Sequence, residues 1–173
     1  MIQYDDRNLQ RLFTELTPKQ RLRALKGAFR REANRVRRVA VNNLRSSIRS
    51  DRDLERGVRA LVWKRKAGFR VTVGTKQANK KTGKGERGYH VNRRGQKKPV
   101  LLWAESGTRL RRSKRATRYP VGGSWRIGKN RGRMKRYGFM AKTRDQVRDS
   151  VTDSLHNEII NNIKRVAKKY GCT

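Results

Sequence analysis

A narrow apolar stripe recurs every three, four or seven residues across residues 18–49, which predicts one helix of about eight turns. Thr17 as the N-cap and Pro18 at the first helical position mark where this helix begins. A shorter helix with the same spacing and with acids at its N-terminus is predicted just before it, so that residues 6–49 are helical apart from this restart. The stripe of the long helix consists of Leu22, Leu25, Phe29, Val36, Ala40, Leu44 and Ile48.

Shorter apolar segments in the middle of the chain predict β-strands. Residues 58–65 and 69–75 predict a β-hairpin, since apolar and polar positions alternate in the second segment and Gly68 suits the tight turn. A further strand is predicted at 99–105, a dense apolar run that opens on a proline, which cannot donate to a strand ladder. This run ends in a structural turn formed by Glu105, Gly107 and Thr108.

The last part of the chain predicts a second amphipathic helix over residues 143–170. Thr143 and Gln146 have the spacing of a capping box, which would open the helix. Its stripe consists of Val147, Val151, Leu155, Ile159, Ile163, Val166 and Tyr170. Two amphipathic helices packed on a small antiparallel sheet make an α+β fold, and a length of 173 residues suits a single domain.

Two extended cationic segments flank the strand predicted at 99–105. The first basic arm, residues 76–98, carries nine Lys/Arg and one Glu; the second, residues 109–136, carries twelve Lys/Arg and no acid. A short edge strand is predicted within residues 119–127 of the second arm. The cations predicted to contact nucleic acid or a neighbouring subunit are Lys76, Lys80, Lys81, Lys84, Arg87, Arg93, Arg94, Lys97, Lys98, Arg109, Arg111, Arg112, Lys114, Arg115, Arg118, Arg126, Lys129, Arg131, Arg133, Lys135 and Arg136.

The charge of the whole chain predicts a negatively charged partner. Forty-eight Lys/Arg against thirteen Asp/Glu give a net charge of +35, which attracts polyanions and repels itself in a compact state. Four aromatic residues lie among the cations of the arms, and two interpretations stay open for them: stacking on exposed bases, or attachment of the arms to a neighbouring protein subunit. These aromatic anchors are Tyr89, Tyr119, Trp125 and Tyr137.

Catalytic chemistry finds little support in the residues, and neither a cofactor nor a metal is expected. The glycine patterns at 83–88 and 123–130 lack the preceding strand and following helix that phosphate-binding motifs require. Asp145, Asp149 and Asp153 form a row at intervals of four, which is better interpreted as interface acids than as an acid–base site. No apolar run approaches the length of a membrane span, so no membrane association is expected.

The order of elements resembles the neck and tail-completion family of long-tailed bacteriophages, the minor structural proteins that join the head connector to the tail. The likeness is carried by the segment from Trp103 to Thr108, which is close to the family's aromatic-x-Glu-x-Gly-Thr strand end. Phe139, just before the last helix, is similar to the Phe of the family's Pro-Phe pair, with Gly138 in place of the proline.

The resemblance implies a non-enzymatic structural protein of the virion, assembled in the bacterial host cytoplasm. Its partners would be copies of itself in a cyclic ring around the DNA channel, neighbouring connector and tail proteins, and packaged double-stranded DNA bound without sequence preference. The residues alone leave an alternative open, a sequence-independent nucleic-acid-binding protein of ribosomal or nucleoid type.

Overall fold

The computed structural model has an α+β fold in which helices outweigh strands, as predicted. It describes residues 6–64, 66–77, 79, 81–82, 85–91, 95–110, 112–121, 124–130 and 132–171. The helices are α1 (Asp6–Glu15), α2 (Pro18–Ser47), α3 (Arg52–Glu55), α4 (Val100–Ser106), α5 (Phe139–Val147) and α6 (Val151–Lys169). The strands are β1 (Val58–Val62), β2 (Phe69–Val73), β3 (His90–Val91), β4 (Lys97–Lys98), β5 (Arg112–Val121) and β6 (Ser124–Asn130). Within the described residues they pair as the two-stranded sheets β1–β2, β3–β4 and β5–β6.

The described residues gather into two compact units. Unit 1 is drawn from residues 1–43, 58–72 and 141–173, and unit 2 from residues 44–57 and 73–140. Helix α2 begins in unit 1 and ends in unit 2. The single domain expected from chain length stays a prediction, since a compact unit is not by itself an independently folding domain.

The core of unit 1 joins α1, α2 and α6. Its buried cluster consists of Leu16, Ala24, Ile163 and Val166, with Leu12, Phe13 and Ile159 packed against it. Each large apolar side chain buried in this way contributes about 1.5–3 kcal/mol. The predicted stripes are confirmed at Phe29, Val36 and Ile163, which are buried, but Leu22 is 49% exposed and Tyr170 is 42% exposed.

Helix α2 also packs on the β1–β2 sheet of unit 1, as the predicted architecture requires. The rings of Phe29 on α2 and Phe69 on β2 have centroids 6.4 Å apart. Arg37 Nε donates a hydrogen bond of 2.7 Å to the carbonyl oxygen of Val58, the first residue of β1. An apolar contact and a backbone hydrogen bond therefore hold the hairpin on the helix.

The N-terminus of α2 is a capping box. The Gln20 N–H donates to Thr17 Oγ1 at 3.4 Å, and the Thr17 N–H donates to Gln20 Oε1 at 2.7 Å. These reciprocal bonds satisfy backbone N–H groups that lack a partner within the helix. The N-cap predicted at Thr17 is confirmed, and Gln20 completes the box, which the sequence interpretation did not identify.

Two polar side chains buried in unit 1, Glu32 and Asn162, have hydrogen-bond partners. The carboxylate of Glu32 is 1% exposed and accepts three hydrogen bonds from Arg35, two of 3.0 Å from Nε and one of 2.7 Å from Nη2. It also accepts one of 2.7 Å from Ser154 on α6. The hydrogen bond to Glu32 raises the pKa of Arg35 above its usual value, and desolvation acts against it. Asn162 Nδ2 donates to the carbonyl oxygen of Ala24. The buried Glu32 thus links α2 to α6 through Ser154.

The short helix α3 follows the end of α2 in unit 2. Asp51 caps it, since Asp51 Oδ1 accepts a hydrogen bond of 2.7 Å from the Leu54 N–H. Glu55 accepts two hydrogen bonds from Arg45, at 2.6 Å and 2.8 Å, and these raise the pKa of Arg45. The Gly88 N–H donates to the Asp53 carbonyl oxygen at 3.0 Å, so part of the first basic arm is attached to α3.

The strand predicted at 99–105 is wrong, because these residues form helix α4. Leu101 and Ala104, three positions apart, are fully buried, whereas Leu102 between them is 37% exposed. The pattern of a short apolar run fits a buried strand and a buried helix equally well, and leucine, alanine and glutamate favour the helix. Pro99 stands at the N-cap, where its missing N–H costs nothing.

The single helix predicted over 143–170 is also wrong, since α5 ends at Val147 and α6 begins at Val151. Thr143 is not an N-cap; it lies buried within α5. Asn43 Nδ2 donates to Thr143 Oγ1 at 3.0 Å and to Gln146 Oε1 at 2.8 Å. The two side chains that resemble a capping box are therefore used to hold α5 against α2.

The second basic arm contains more β-structure than the short edge strand that the sequence predicts. β5 and β6 form a long antiparallel hairpin, with Thr117 opposite Gly128 and Val121 opposite Ser124. The register is irregular between Arg112 and Thr117. In the first basic arm, Lys76 and Arg87 exchange two backbone hydrogen bonds of 3.0 Å, and β3 pairs with β4. Backbone pairing therefore gives regular β-structure to parts of both arms.

Candidate polyanion-binding site

The two ends of the second basic arm meet at a set of hydrogen bonds in unit 2, here called the clasp (residues 104–108 with 134–140). The Thr108 N–H donates to the Met134 carbonyl oxygen at 3.1 Å, and the Met134 N–H donates to Thr108 Oγ1 at 2.8 Å. The Tyr137 N–H donates to the Ala104 carbonyl oxygen at 2.9 Å. The chain therefore leaves α4, forms the β5–β6 hairpin, and returns to Thr108, the residue before the second arm.

Glu105 connects the end of α4 to the beginning of α5. Its Oε2 accepts a hydrogen bond of 2.9 Å from the Met140 N–H, in the first turn of α5. A carboxylate at this place satisfies a backbone donor that has no partner within the helix and complements the positive end of the helix dipole. Phe139, the first residue of α5, is fully buried. The end of one helix therefore fixes the start of another.

Gly107 adopts a backbone conformation that other residues avoid. It ends α4 with φ of 75° and ψ of −177°, a region that is essentially restricted to glycine. Space is short as well, because a Cβ atom there would lie 3.2 Å from both the Arg136 nitrogen and the Met134 oxygen. Both the turn and the close approach of residues 134–136 require glycine at this position.

Four cations surround an open pocket of about 830 Å³ at the clasp, here called the clasp pocket. Arg109 comes from one end of the second arm and Arg133, Lys135 and Arg136 from the other, and all four are exposed. The remaining lining residues are Ser106, Gly107, Thr108 and Met134, so none of the lining side chains is acidic. Phosphate or carboxylate groups are the ligands that suit such a pocket.

The hairpin of the second arm presents cations and one large apolar side chain. Arg112, Arg118 and Lys129 are exposed, and Ile127, which lies opposite Arg118 in the register, is 78% exposed. Three further predicted cations and two aromatic anchors contribute backbone to these strands: Lys114, Arg115, Arg126, Tyr119 and Trp125.

The first basic arm has some of its charge compensated. The Lys97 Nζ group forms an ion pair with Glu86, and His90 lies 3.9 Å from the Asp51 carboxylate. Lys76, Lys81 and Lys97 are exposed, whereas Arg87 and Lys98 are half-buried. Six predicted contact residues lie outside the described residues: Lys80, Lys84, Arg93, Arg94, Arg111 and Arg131.

Two of the predicted aromatic anchors have described side chains, and both are half-buried: Tyr89 in the first arm and Tyr137 in the clasp. The Tyr137 backbone contributes one of the clasp hydrogen bonds. Partial burial leaves less ring surface for stacking on a base than a fully exposed aromatic would offer. Stacking and attachment to a neighbouring subunit both remain predictions for these residues.

The acidic row predicted on one helix is broken. Asp145 lies in α5, where it pairs with Arg144 at 3.0 Å; Asp149 lies in the turn between the helices; Asp153 lies in α6. All three are exposed, so an interface role stays a prediction. The Ser150 hydroxyl donates to the Val147 carbonyl oxygen at 3.4 Å in that turn, and serine and aspartate side chains compete with helical hydrogen bonding in this way.

Met134 is a functional residue of the clasp that the sequence interpretation missed. Its backbone supplies both the donor and the acceptor that Thr108 uses, and backbone pairing of this kind leaves no side-chain signal in a sequence. Across the described residues, no group of three or more His, Cys, Asp or Glu side chains could hold a metal ion. None of the helices there combines the length and apolar character that a bilayer crossing needs.

Comparison of the chain with known protein families, with curated proteins and with solved structures finds no match.

Proposed function

We propose that the chain is a structural protein of a bacteriophage virion, forming part of the neck as a ring around the DNA channel at the head–tail junction. The observation that carries the proposal is the clasp. The two segments in which the sequence resembles the neck and tail-completion family, residues 103–108 and Phe139, are far apart in the chain. Glu105 brings them together by accepting the N–H of Met140, the residue after Phe139. Because the two segments contact each other, a family that uses this turn would be expected to keep both segments.

The clasp pocket supports a DNA-facing role for the second arm. Its four exposed cations have no acid among the lining residues, and cations held near a duplex neutralise phosphates without reading sequence. A protein through which DNA of any sequence passes needs this sequence-independent kind of binding. The net charge of +35 would otherwise oppose the close packing of many copies in a ring.

The β5–β6 hairpin supports contact between neighbouring copies. Ile127 is the most exposed of the large apolar side chains that the structure describes, and it lies on a strand of an open two-stranded sheet. An apolar side chain so exposed suits a protein contact. Repeated contact between a hairpin on one copy and a different surface on the next is heterologous, and such contacts form a ring when the rotation from copy to copy closes. Neighbouring connector and tail proteins would be the other partners.

A second candidate is a sequence-independent nucleic-acid-binding protein of ribosomal or nucleoid type. It is favoured by the same exposed cations, Arg109, Arg133, Lys135 and Arg136, which would bind RNA or DNA phosphates without any ring. The two candidates differ in what else they require. The virion protein must assemble with defined symmetry, and the nucleic-acid-binding protein need not.

The deciding experiment examines assembly and particle association together. Purified protein is washed at high salt, assayed for retained nucleic acid, and analysed by light scattering and negative-stain electron microscopy with and without double-stranded DNA. In parallel, an antibody tracks the protein through density-gradient fractions of phage particles from the strain that carries its gene. We expect closed rings and a signal in the particle fractions. Protein that stays monomeric, is absent from particles and retains RNA after the high-salt wash would support the second candidate instead.

A further inference from the structure

A second cationic groove lies in unit 1, between the first half of α2 and the end of α6. It is an open groove of about 840 Å³, here called the α2–α6 groove. Six of its lining residues are cations, and none is acidic. The cations are Lys19, Arg23, Lys26 and Arg30 on α2, and Arg165 and Lys169 on α6.

The floor of the α2–α6 groove is apolar. Leu22 and Tyr170 line it, and they are 49% and 42% exposed. Both residues belong to the apolar stripes that the sequence predicts to face the core, and both stripes are left uncovered at this one place. The floor also includes Val166, which reaches into the buried cluster of unit 1. An exposed apolar strip rimmed by charge is typical of a protein-binding groove.

Close packing of the two helices forms the base of the groove. Asn162 on α6 donates to the Ala24 carbonyl oxygen on α2, and a Cβ atom on Gly27 would lie 2.2 Å from Asn162 Nδ2. Glycine at position 27 therefore allows the asparagine to reach the backbone of α2. This contact keeps both walls of the groove on one packed helix pair.

The cations of the groove form no ion pair within the part of the chain that the structure describes. Among the described residues, no carboxylate lies within ion-pair distance of them, although Arg23 Nη1 donates to the Tyr170 hydroxyl at 3.2 Å. Other copies of the chain are poor sources of the missing charge. Among the described residues, seven carboxylates already pair with Lys or Arg of the chain: Glu15, Glu32, Asp53, Glu55, Glu86, Asp145 and Glu158.

We propose that the α2–α6 groove binds an acidic amphipathic helix of another protein. The apolar floor distinguishes this groove from the clasp pocket, where Met134 is the only apolar side chain among the lining residues. Phosphates need cations alone, whereas a helix with one apolar and one acidic face uses the floor and the rim together. The α2 wall runs from Lys19 to Arg30, about 16 Å at 1.5 Å per residue, which matches about three turns of a bound helix.

A fluorescence anisotropy experiment with the full-length protein tests the proposal. The probe is a labelled 14-residue peptide. Its leucines are spaced alternately three and four residues apart, so that they share one helical face, and glutamates occupy the opposite face. A second peptide of identical composition has its order scrambled, so that the charge is kept and the apolar face is lost. We expect the amphipathic peptide to bind at least about tenfold more tightly, near 0.15 M salt, than the scrambled peptide.

Matched charge reversals locate the binding. Arg165→Glu with Lys169→Glu places two acids in the groove, and we expect this variant to lose at least about tenfold in affinity for the amphipathic peptide. Lys164→Glu with Lys168→Glu makes the same charge change at exposed positions of the same helix that do not line the groove. That control variant should bind within about twofold of the parent protein.

Leu22→Ser tests the apolar floor without changing the charge. We expect it to lower the affinity for the amphipathic peptide but not the affinity for the scrambled peptide. Helix content measured by circular dichroism checks that each variant is folded, and Lys169→Glu alone replaces the double variant if that one unfolds. Equal binding of the two peptides, or equal losses in the groove and control variants, would overturn the proposal. The proposal would also be overturned if duplex DNA displaced the peptide equally well from the parent protein and from the groove variants. This site is independent of the proposed virion role, so either proposal can fail alone.

Discussion

At the scale of single residues, Gly107 combines a glycine-only backbone conformation with close neighbouring atoms in unit 2. Its φ of 75° with an extended ψ is a conformation that costs other residues about 1–3 kcal/mol. The neighbouring atoms of Met134 and Arg136 leave little room for a side chain to relax that strain. Any larger residue would therefore disturb both the turn and the hydrogen bonds of the clasp.

We expect Gly107→Val to lower the free energy of unfolding by at least about 2 kcal/mol, because strain and steric conflict act together. Urea unfolding followed by circular dichroism gives the change. Gly74→Val is the matched control, since no atom would lie within 4 Å of a Cβ there and its φ is not positive. Equal midpoints for the two variants would show that the clasp tolerates a side chain.

The role of a single residue can be predicted from the sequence when the local backbone determines it. It cannot be predicted when a residue far away in the chain determines it. The turn at Gly107 can be anticipated, because glycine after an apolar run marks a change of direction. The role of Thr143 cannot, because its hydroxyl accepts from Asn43, one hundred positions away. The same Thr-x-x-Gln spacing is a true capping box at Thr17, where the side chains of Thr17 and Gln20 each accept the other residue's backbone N–H.

At the scale of elements, length and periodicity decide what can be predicted. α2 extends over 30 residues with a repeating buried face, so its bounds follow closely from the sequence. α4 has only seven residues, too few to separate a helical from an extended pattern, and only the burial of Leu101 and Ala104 together reveals its helical face. The β5–β6 hairpin is hidden in a similar way, because cations at most positions obscure the alternation of a strand.

The same hairpin carries a prediction about assembly. We expect Ile127→Glu to abolish ring formation while leaving the monomer folded, since the side chain is 78% exposed and surface changes cost less than about 0.5 kcal/mol. Ile127→Val keeps an apolar surface and should assemble normally. Light scattering of the purified variants measures the outcome. Rings formed by the glutamate variant would exclude this residue from the contact between copies.

At the scale of the whole molecule, charge dominates, and its distribution could be predicted only in part. The net charge and the two basic arms are visible in the sequence. The convergence of Arg109 with residues 133–136 is not, because it depends on backbone hydrogen bonds between Thr108 and Met134. The α2–α6 groove is likewise absent from the pattern, since Leu22 and Tyr170 have the spacing of core residues.

We expect replacement of the four cations of the clasp pocket, Arg109, Arg133, Lys135 and Arg136, by serine to reduce the salt dependence of duplex DNA binding. The slope of log K against log salt concentration should fall by up to about 0.9 per lost phosphate contact. Fluorescence anisotropy titrations at several salt concentrations measure it. Four exposed cations of unit 1 that lie outside both pockets provide the matched control variant: Lys64, Lys66, Arg70 and Lys142. Equal slopes for the two variants would mean that charge acts without regard to position.

Because the second arm is closed by hydrogen bonds between Thr108 and Met134, its length can change without weakening its attachment to the rest of unit 2. Doubling a closed loop costs only about 0.6 kcal/mol, so residues can be added to or removed from β5 and β6 in opposite pairs at little expense. Each added pair would extend the reach of the ribbon by roughly 3.3 Å and would leave its two ends joined. A longer or shorter hairpin would therefore reach partners at different distances while the clasp stays unchanged.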